Sequence, residues 1–544
     1  MRIFVAQLNP IVGNLQSNTG KIIETIYQAK KKKADIVLFP EMAICGYPPE
    51  DLVLYSTFID EMQAKLQEIA KASDNIMVVV GLVRKNPTGM GKLLYNSAAV
   101  IIDTKIVGFK DKTLLPTYDV FNESRYFEEG EEQKVFHYKD KNIGVMICED
   151  TWQHAKGVEQ VHYKRDPIQE IAPLKPDVLV SISASPYYFM KKDNRLKIFA
   201  PCASFLKCPF IWCNQVGGND SLIFDGHSLY INENEELIQL AKGFEEDTLI
   251  IDLEKKEKAV SFPDHPLEDL YQALVLGVKD YFAKQGFSTA VIGLSGGVDS
   301  ALVACIAKDA LGSENLLGVS MPSRFTSLAS MEDARALAEN LNISLKEVPI
   351  DHLFQQYLDL LSPLFHGYPP DATEENLQAR IRGMVLMAIS NKLGYLVLST
   401  GNKSEMAIGY STLYGDLCGG LGIINDVSKT KVYELCRLLN KSEEVIPQNI
   451  IEREPSAELK ANQKDQDTLP DYAILDAILE GYVEGHMSSQ VIANKYDLKE
   501  KFVEEMIHKI HLAEYKRRQS PPGLRVTKKA FSKGRVFPIV QKWA

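Results

Sequence analysis

"GLSGGVDSALVACIAK" (residues 293–308) follows a short apolar run at residues 290–292 and decides the fold of the second half of the chain. The apolar run predicts a strand, and the alanine- and leucine-rich stretch after the glycines predicts a helix. Ser295, Gly296 and Gly297 let the backbone approach a ligand closely, since glycine has no Cβ. The N–H groups of such a turn and the helix N-terminus form an anion cradle, so the stretch predicts a phosphate site.

The turn lacks the Gly-Lys-Ser/Thr ending of a kinase-type phosphate loop. Asp299 stands at the helix mouth, where a lone carboxylate would repel a polyphosphate unless a cation such as Mg²⁺ joined the two. Magnesium and the helix dipole together could neutralise a leaving pyrophosphate without a lysine. We therefore predict cleavage between the α and β phosphates; the alternative is a glycine-bent junction without a ligand.

Strands alternate with helices along both halves of the chain, which indicates layered α/β architecture. From about residue 267 the pattern is that of a doubly wound parallel sheet, whose ligands bind at the carboxyl ends of the strands. In the first half, helices are predicted at residues 17–33 and 61–72. The strands predicted there are DIVLFPE, NIMVVVGLV, SAAVIID, NIGVMICED, DVLVSISAS, PFIWCNQ and TLIIDL.

A chain of 544 residues exceeds what one core usually supports. A charged, proline-bearing stretch separates the halves, so we expect a first domain at residues 1–255, a linker at 256–266, a second domain at 267–520 and a basic tail at 521–544. The net charge of −11 argues against nucleic acid as the main partner. No apolar run reaches membrane-spanning length.

The eight cysteines are scattered and contain no CxxC pair, so neither a disulfide framework nor a zinc site is indicated. This usage, with an N-terminus that is typical of a strand and not of a secretory signal, fits a reducing cytoplasm.

GLSGGVDSA resembles the signature of the PP-loop ATP pyrophosphatases, a Rossmann-like group whose members adenylate an oxygen for attack by an amine or sulfur nucleophile. The stretch from Glu374 to Gly420, ENLQAR and TGNKSE included, is similar to NAD synthetase domains over most of residues 267–520. The resemblance implies that deamido-NAD⁺ (nicotinic acid adenine dinucleotide) is adenylated and that ammonia then displaces AMP. It also implies that synthetase domains associate in pairs, so a homo-oligomer is expected.

The NAD synthetase resemblance implies roles for residues of this half. Thr400 would contact ATP, Asp299 and Glu405 would hold Mg²⁺, and Arg380 and Asp416 would assist. The residues implied to bind deamido-NAD⁺ are Asn376, Glu405 and Lys516. The turn residues implied to bind ATP are Gly293, Leu294, Ser295, Gly296, Gly297, Val298, Asp299 and Ser300; isoleucine is commoner at position 298.

Glu41, Lys112 and Cys148 each lie just beyond a predicted strand of the first half. A carboxylate base, a thiol nucleophile and an ammonium that stabilises an oxyanion are what hydrolysis of an amide requires. Such a site would supply the unprotonated ammonia that an amide-forming synthetase needs. Spacing alone leaves alternatives, because Cys45 lies closer to Glu41 in sequence and Glu149 adjoins Cys148.

LFPEMAICGYPPEDL, KDKTLLPTYDVFNESRYF and GVMICEDTW resemble the glutamine amidotransferase branch of the nitrilase superfamily across residues 1–250. The resemblance implies an α-β-β-α sandwich in which Glu41 is the base, Lys112 the oxyanion partner and Cys148 the nucleophile. Glu123 would orient this trio. The residues implied to bind L-glutamine are Tyr118, Ser185 and Lys191. Asn219 stands where glutamine is common in this branch.

Together the two resemblances imply a carbon–nitrogen ligase that amidates deamido-NAD⁺ with ATP and glutamine-derived ammonia. The products would be NAD⁺, AMP, pyrophosphate and L-glutamate, with ammonia passing through the protein. Two alternatives remain at this point: another PP-loop ligase with a different acceptor, and a non-catalytic nucleotide-binding regulator. The basic residues after Glu514 could form a surface or nucleic-acid patch, but EYKRRQ (514–519) favours Lys516 pairing with a substrate phosphate.

Overall fold

The chain divides into two units, Met1–Pro266 and Leu267–Ala544. The structure, a computed structural model, describes residues 1–155 and 162–543. Ala544, the last residue of the predicted basic tail, lies outside the described residues. None of the helices in the described part of the chain combines the length and apolar composition that crossing a lipid bilayer requires.

The described strands of the first unit are β1 (Arg2–Gln7), β2 (Ile36–Leu38), β3 (Met77–Lys85), β4 (Leu94–Ile102), β5 (Lys105–Asp111), β6 (Val135–Tyr138), β7 (Lys141–Ile147), β8 (Val178–Ser183), β9 (Phe210–Asn214), β10 (Val216–Asn219), β11 (Leu222–Asp225), β12 (Leu229–Ile231), β13 (Leu237–Leu240) and β14 (Asp247–Asp252). These strands form two six-stranded sheets, ordered β14-β1-β2-β3-β4-β5 and β13-β12-β9-β8-β7-β6, and a β10-β11 hairpin. The described helices are α1 (Leu15–Lys31), α2 (Ser56–Ala72), α3 (Pro167–Ile171) and α4 (Lys192–Leu206).

Alternation of side chains along the strands builds four layers in this unit. In β1, Ile3 and Val5 face a core formed between the two sheets, whereas Phe4 and Ala6 face the core shared with α1 and α2. A third core lies between the second sheet and α4. The predicted α-β-β-α sandwich is therefore confirmed.

Parallel pairing in both sheets places several strand ends together. β1, β2 and β3 run parallel in one sheet, and β7, β8 and β9 run parallel in the other. Glu41 follows β2, Cys148 follows β7 and Ser185 follows β8. Residues that are far apart in sequence therefore lie at strand ends, where they can form a site together.

The described strands of the second unit are β15 (Ala290–Gly293), β16 (Leu316–Ser320), β17 (Ser344–Glu347), β18 (Leu396–Ser399) and β19 (Leu421–Gly422). These strands form one five-stranded sheet in which all pairs are parallel, ordered β17-β16-β15-β18-β19. The helices are α5 (Pro266–Gln285), α6 (Val298–Leu311), α7 (Leu328–Asn340), α8 (Asp351–Leu361), α9 (Ala372–Leu393), α10 (Lys403–Ile408), α11 (Lys429–Leu439), α12 (Gln448–Glu452), α13 (Tyr472–Leu479), α14 (Ser489–Tyr496), α15 (Glu500–Leu512) and α16 (Glu514–Arg517).

The strand order of the second unit reverses at β15, which confirms the predicted doubly wound sheet. The chain runs from β15 to β16 and β17 on one side, then returns to β18 and β19 on the other side. A crevice opens at such a reversal, outside the carboxyl ends of the strands. The glycine turn at residues 293–297 follows β15, so it lies at this crevice.

Candidate active sites

Glu41 and Lys112 form a buried ion pair in the first unit. Lys112 Nζ lies 2.8 Å from Glu41 Oε1 and 2.7 Å from Glu123 Oε1, and all three side chains are at most 4% exposed. The Asn96 amide donates to both carboxylates, at 2.7 Å to Glu41 and 3.2 Å to Glu123. The backbone N–H of Ala184 also donates to Glu41, at 2.9 Å. The base and the ammonium predicted from the sequence are therefore in contact.

Cys148 stands on a strained turn at the end of β7. Its φ of 44° lies in the left-handed region, and it begins a short 3₁₀ helix, Cys148–Thr151. The Asp150 carboxylate accepts from the backbone N–H groups of Thr113 and Leu114, both at 2.9 Å. Because these residues directly follow Lys112, Asp150 ties the turn that carries the thiol to the loop that carries the ammonium.

The charges of Glu41 and Lys112 affect the pKa of the Cys148 thiol. Burial, and then the Glu41 carboxylate, raise the pKa of Cys148, whereas Lys112 acts in the opposite direction. Burial also raises the pKa of Glu123, to about 7. Burial alone would lower the pKa of Lys112, but the Glu123 and Glu41 carboxylates hold it well above its usual range. At neutral pH the site therefore holds a protonated thiol beside an ammonium that two carboxyl groups share.

Tyr118, predicted to bind glutamine, contacts the residue that follows Cys148. Its hydroxyl donates to Glu149 Oε1 at 2.9 Å, and the Tyr163 hydroxyl donates to the same oxygen at 2.9 Å. Glu149 is 3% exposed, and burial raises its pKa. A carboxyl group held by two phenols beside the thiol offers an acceptor for a cationic part of a substrate.

Ser185 and Lys191, the other two residues predicted to bind glutamine, contact each other. Lys191 Nζ donates to Ser185 Oγ at 2.7 Å and to the Pro186 carbonyl at 2.5 Å. The same ammonium lies 5.5 Å from the ring centroid of Trp152. Lys191 is 5% exposed. A hydroxyl and an ammonium in contact are suited to an anionic group of a substrate.

The glycine turn of the second unit needs its glycine at position 296. Gly296 has a φ of 78°, and a Cβ there would lie 2.2 Å from the Ser330 carbonyl oxygen. Ser295 Oγ accepts from the Gly297 N–H at 3.2 Å, and Ser300 Oγ donates to the Gly297 carbonyl at 2.9 Å. These bonds hold the turn at the N-terminus of α6, as an anion cradle requires.

A cavity of about 320 Å³ opens over the turn. It is lined by all eight predicted turn residues, Gly293–Ser300, and by Thr400, Glu405 and Asp416. Asn376 and Lys516 do not belong to the lining: Asn376 accepts from the Thr412 hydroxyl at 2.6 Å, and Lys516 Nζ donates to the Gly409 and Ser411 carbonyls, both at 2.7 Å. The lining of the cavity therefore includes the residues predicted to bind ATP. Asn376 and Lys516 instead contact the loop at residues 409–416, part of which borders the cavity.

The carboxylates of Asp299 and Glu405 both contact the ammonium of Lys429. Lys429 Nζ lies 2.5 Å from Asp299 Oδ2 and 3.2 Å from Glu405 Oε1. Asn402 donates to the other Asp299 oxygen at 2.9 Å. Burial raises the pKa of Glu405 to about 8. Burial also raises the pKa of Asp416, to about 6, although its Oδ1 accepts from the Thr412 N–H.

The same two carboxylates fit the predicted Mg²⁺. Magnesium is usually bound by one or two carboxylates together with substrate phosphates. Asp299 and Glu405 already share one cationic partner, so a single ion could take both. Across residues 1–155 and 162–543, no three His, Cys, Asp or Glu side chains are grouped to hold a metal ion by themselves. The donor set therefore suits an ion that arrives with ATP.

Several contacts in these sites were not predicted from the sequence. Asn96 lies within β4, a strand whose apolar pattern gave no sign of a polar contact to Glu41. Tyr163 and Lys429 carry no local motif. Asn402 lies inside TGNKSE, so its position could have been singled out from that stretch. Arg380, predicted to assist, donates to the Leu413 carbonyl at 3.2 Å and is exposed.

Each half of the chain matches a known family. Residues 2–259 match the carbon-nitrogen hydrolase family, and residues 270–520 match the NAD synthase family. The chain is 45% identical, over 549 residues, to the glutamine-dependent NAD(+) synthetase of Synechocystis sp., and the match covers 99% of this chain and 98% of the relative. It is 42% identical over 550 residues to the protein of that name from Acinetobacter baylyi, covering 100% of this chain and 98% of the relative.

A solved structure is similar along the whole chain. It is the glutamine-dependent NAD⁺ synthetase from Acinetobacter baumannii in complex with adenosine diphosphate. The TM-score is 0.78 at 39% sequence identity, with 100% of this chain and 99% of that chain covered. The similarity therefore extends through both units.

Proposed function

The chain belongs to the glutamine-dependent NAD(+) synthetase family, and on that premise we propose that it amidates deamido-NAD⁺ through an adenylated intermediate. It is a carbon–nitrogen ligase with a glutaminase and a synthetase domain, which sets aside the regulator and ligases with other acceptors. The single observation that carries the proposal is the buried contact of Lys112 with Glu41 beside Cys148. This contact supplies the glutaminase half that distinguishes the reaction from ammonia-dependent amidation.

We assign glutamine hydrolysis to Glu41, Lys112 and Cys148. Glu41 takes the proton of the Cys148 thiol as the sulfur attacks the amide carbon of glutamine. The Lys112 ammonium stabilises the tetrahedral oxyanion. Glu41 then returns the proton to the departing ammonia, and afterwards takes one from the water that hydrolyses the thioester. The raised pKa of the thiol supports this order, because a base is needed before the sulfur becomes nucleophilic.

Glutamine is oriented by its two charged ends. Its α-carboxylate is bound by Ser185 and Lys191, whose polar atoms lie 2.7 Å apart. Its α-ammonium is bound by Glu149, which Tyr118 and Tyr163 hold in place. Opposite charges for the two ends of glutamine support selection of an amino acid amide over a simple amide.

The cavity of the second unit binds ATP and activates the acceptor. The turn Gly293–Ser300 holds the phosphates, and Thr400 lies at the cavity wall. Lys429 lines the same cavity, so its ammonium can contact these phosphates. When bound, Mg²⁺ held by Asp299 and Glu405 would neutralise polyphosphate charge. The carboxylate of deamido-NAD⁺ displaces pyrophosphate from the α-phosphorus, and ammonia then displaces AMP from the resulting acyl adenylate.

Deamido-NAD⁺ is assigned to the edge of the cavity near the loop at residues 409–416. Glu405 lines the cavity, and Asn376 and Lys516 contact residues of the loop. Movement of this loop would expose the Lys516 ammonium to a substrate phosphate. Burial lowers the pKa of Lys516, so release toward an anion also restores a favourable environment for its charge.

We assign the glutaminase to residues 1–255 and the synthetase to residues 267–520, joined by a linker at 256–266. The synthetase is also the unit through which copies of the chain associate. Along α9, Met384 is 62% and Leu393 is 60% exposed, and Leu360 and Leu364 on and after α8 are 70% and 74% exposed. Apolar side chains in such number on one pair of helices support an interface.

The proposal is tested by separating the two nitrogen sources. Cys148→Ala should abolish NAD⁺ formation from glutamine but leave formation from added ammonium at the wild-type rate, because the thiol acts only on glutamine. Asp299→Asn should stop NAD⁺ formation from either source while glutamate is still released from glutamine. Both are measured by chromatography of NAD⁺ and glutamate.

Two matched variants serve as controls. Cys208→Ala removes another buried thiol of the first unit, and Asp309→Asn changes another aspartate of α6. Both should retain glutamine-driven synthesis. Loss of ammonium-driven synthesis in a folded Cys148→Ala protein would contradict the assignment of the thiol. A wild-type protein that makes no NAD⁺ from deamido-NAD⁺, ATP and ammonium would refute the function.

A further inference from the structure

Lys403 is a buried charge that the proposed reaction does not use. It is 2% exposed and is the first residue of α10, directly after Asn402. Its ammonium contacts four oxygens: Asp426 Oδ1 at 3.0 Å, Glu484 Oε1 at 2.7 Å, Thr527 Oγ1 at 2.6 Å and the Lys529 carbonyl at 3.0 Å. Two of these oxygens belong to the basic tail that the sequence left without a role.

The tail is built into the synthetase unit around this ammonium. The Asp426 carboxylate accepts from the backbone N–H groups of Val526 and Thr527, at 2.8 and 2.7 Å, and from the Thr527 hydroxyl at 2.8 Å. Upstream, the Gly422 N–H donates to the Pro522 carbonyl at 2.8 Å, which places the tail beside β19. Arg517 and Arg525 are buried. These parts of the basic stretch therefore serve the interior of the unit.

Helix α10 contains both Lys403 and Glu405, which lines the cavity. Its N-cap Asn402 accepts from the Glu405 N–H at 3.0 Å and donates to Asp299 at 2.9 Å. A helix of six residues is not stable alone, so tertiary contacts must set its position. At its other end, Arg517 donates to the Met406 and Ala407 carbonyls.

We propose that Lys403, Asp426, Glu484 and Thr527 form a tail clamp that positions Asn402 and Glu405 for activation of the acceptor by ATP. The clamp holds the first turn of α10 in place. The hydrogen bond from Asn402 to Asp299 then couples the position of this turn to the site. The four residues are positioning residues, since none of them touches the cavity. The inference rests on the proposed synthetase reaction and adds a role for the C-terminal segment in it.

The charges of the clamp favour a fixed ammonium. Burial alone would lower the pKa of Lys403, but the Asp426 and Glu484 carboxylates raise it. Lys403→Met would leave those carboxylates without their cation and endangers folding. Thr527→Val is gentler, because it removes one hydroxyl, keeps the shape of the side chain and preserves the tail N–H bonds to Asp426.

The test measures ammonium-driven NAD⁺ formation by Thr527→Val. We expect kcat to fall about tenfold, as when a distant contact that orients a reacting group is lost. The KM for deamido-NAD⁺ and the glutaminase rate should not change. Thr373→Val, at an exposed position of the same unit, is the matched control and should keep the wild-type kcat.

A double variant separates positioning from general stability. If the clamp acts through Asn402, Thr527→Val should cost nothing further once Asn402→Ala is present, because coupled residues are not additive. Losses that multiply in the double variant, or a wild-type kcat in Thr527→Val, would overturn the clamp. A wild-type protein without ammonium-driven synthesis would instead refute the proposed function, and the inference with it.

Discussion

At the scale of single residues, the first site depends on holding two carboxylates close together. Glu41 and Glu123 would repel each other, but each accepts from the Asn96 amide and each contacts Lys112. The Tyr47 hydroxyl donates to Glu123 at 2.9 Å as well. The cluster therefore keeps Glu41 available as a base while Lys112 stays charged.

Glu123→Gln should change the pH profile of glutamine hydrolysis. The pKa of Glu123 is raised to about 7, so this carboxyl takes up a proton as the pH falls through 7 and one anionic partner of Lys112 is lost. We expect an acid limb of kcat/KM near this pH in the wild type. The variant is neutral at position 123 at every pH, so its kcat/KM should be reduced throughout and this limb should be absent. Steady-state glutaminase rates between about pH 5 and 9 measure it. A limb near pH 7 that persists in the variant would show that Glu123 is not the group that titrates.

Gly296→Ala should weaken the binding of ATP. The added Cβ would meet the Ser330 carbonyl at 2.2 Å, and φ of 78° is unfavourable for alanine, so the turn must rearrange. We expect the KM for ATP to rise at least about tenfold, since the turn binds phosphate through backbone N–H groups. Glutaminase turnover is the internal control. Gly286→Ala, where a Cβ meets open space although φ is also positive, separates backbone strain from the clash.

At the scale of elements, neighbouring strands shape the loop that carries Glu41. A Cβ on Gly81 of β3 would lie 2.2 Å from the Met42 nitrogen and 2.7 Å from the Glu41 carbonyl carbon. Gly81→Ala should therefore destabilise the first unit by about 1–3 kcal/mol, as overpacking usually does. Chemical denaturation and glutaminase kcat measure this. Gly20→Ala on α1, where a Cβ meets open space, should instead be neutral or stabilising.

The sequence predicted the long elements because their patterns are strong. The apolar runs of β3, β7 and β8 are buried on both faces and were placed correctly. The sequence does not predict β10–β13, because strands of three or four residues are too short to show a clear alternation of apolar and polar side chains. In β10, the two glycines and the asparagine are also typical of a turn. The helix predicted at residues 17–33 begins two residues earlier, because the Asn14 side chain caps α1.

The predicted sites were incomplete for a different physical reason. Strand ends and the glycine turn are local features, so the chain itself indicates candidate residues and a phosphate turn. The resemblances to known families, and not the spacing, favour Glu41, Lys112 and Cys148 over Cys45 and Glu149. Partners such as Asn96 and Lys429 come from distant elements, and only the fold brings them to the site. A single sequence without contacts holds no signal for such pairs.

At the scale of the whole molecule, each unit has its own core and its own site. The exposed apolar side chains of α9 predict that Met384→Glu reduces the size of the particle in solution, because a charge would be buried at the interface. Light scattering after gel filtration measures the mass. Gln285→Glu, at the exposed end of α5, is the control and should not change it. An unchanged mass for Met384→Glu would show that copies meet elsewhere.

The free cysteines give the molecule a built-in selectivity toward electrophiles. Cys45 and Cys305 are buried, and burial raises the pKa of each to about 12, so at neutral pH they remain unreactive sulfhydryls. Cys148 differs because, in the proposed mechanism, Glu41 accepts the proton of its thiol. A chloroketone shaped like glutamine should alkylate that sulfur first, which peptide mass spectrometry would read directly. The reagent would thus stop NAD⁺ formation from glutamine and leave NAD⁺ formation from ammonium intact.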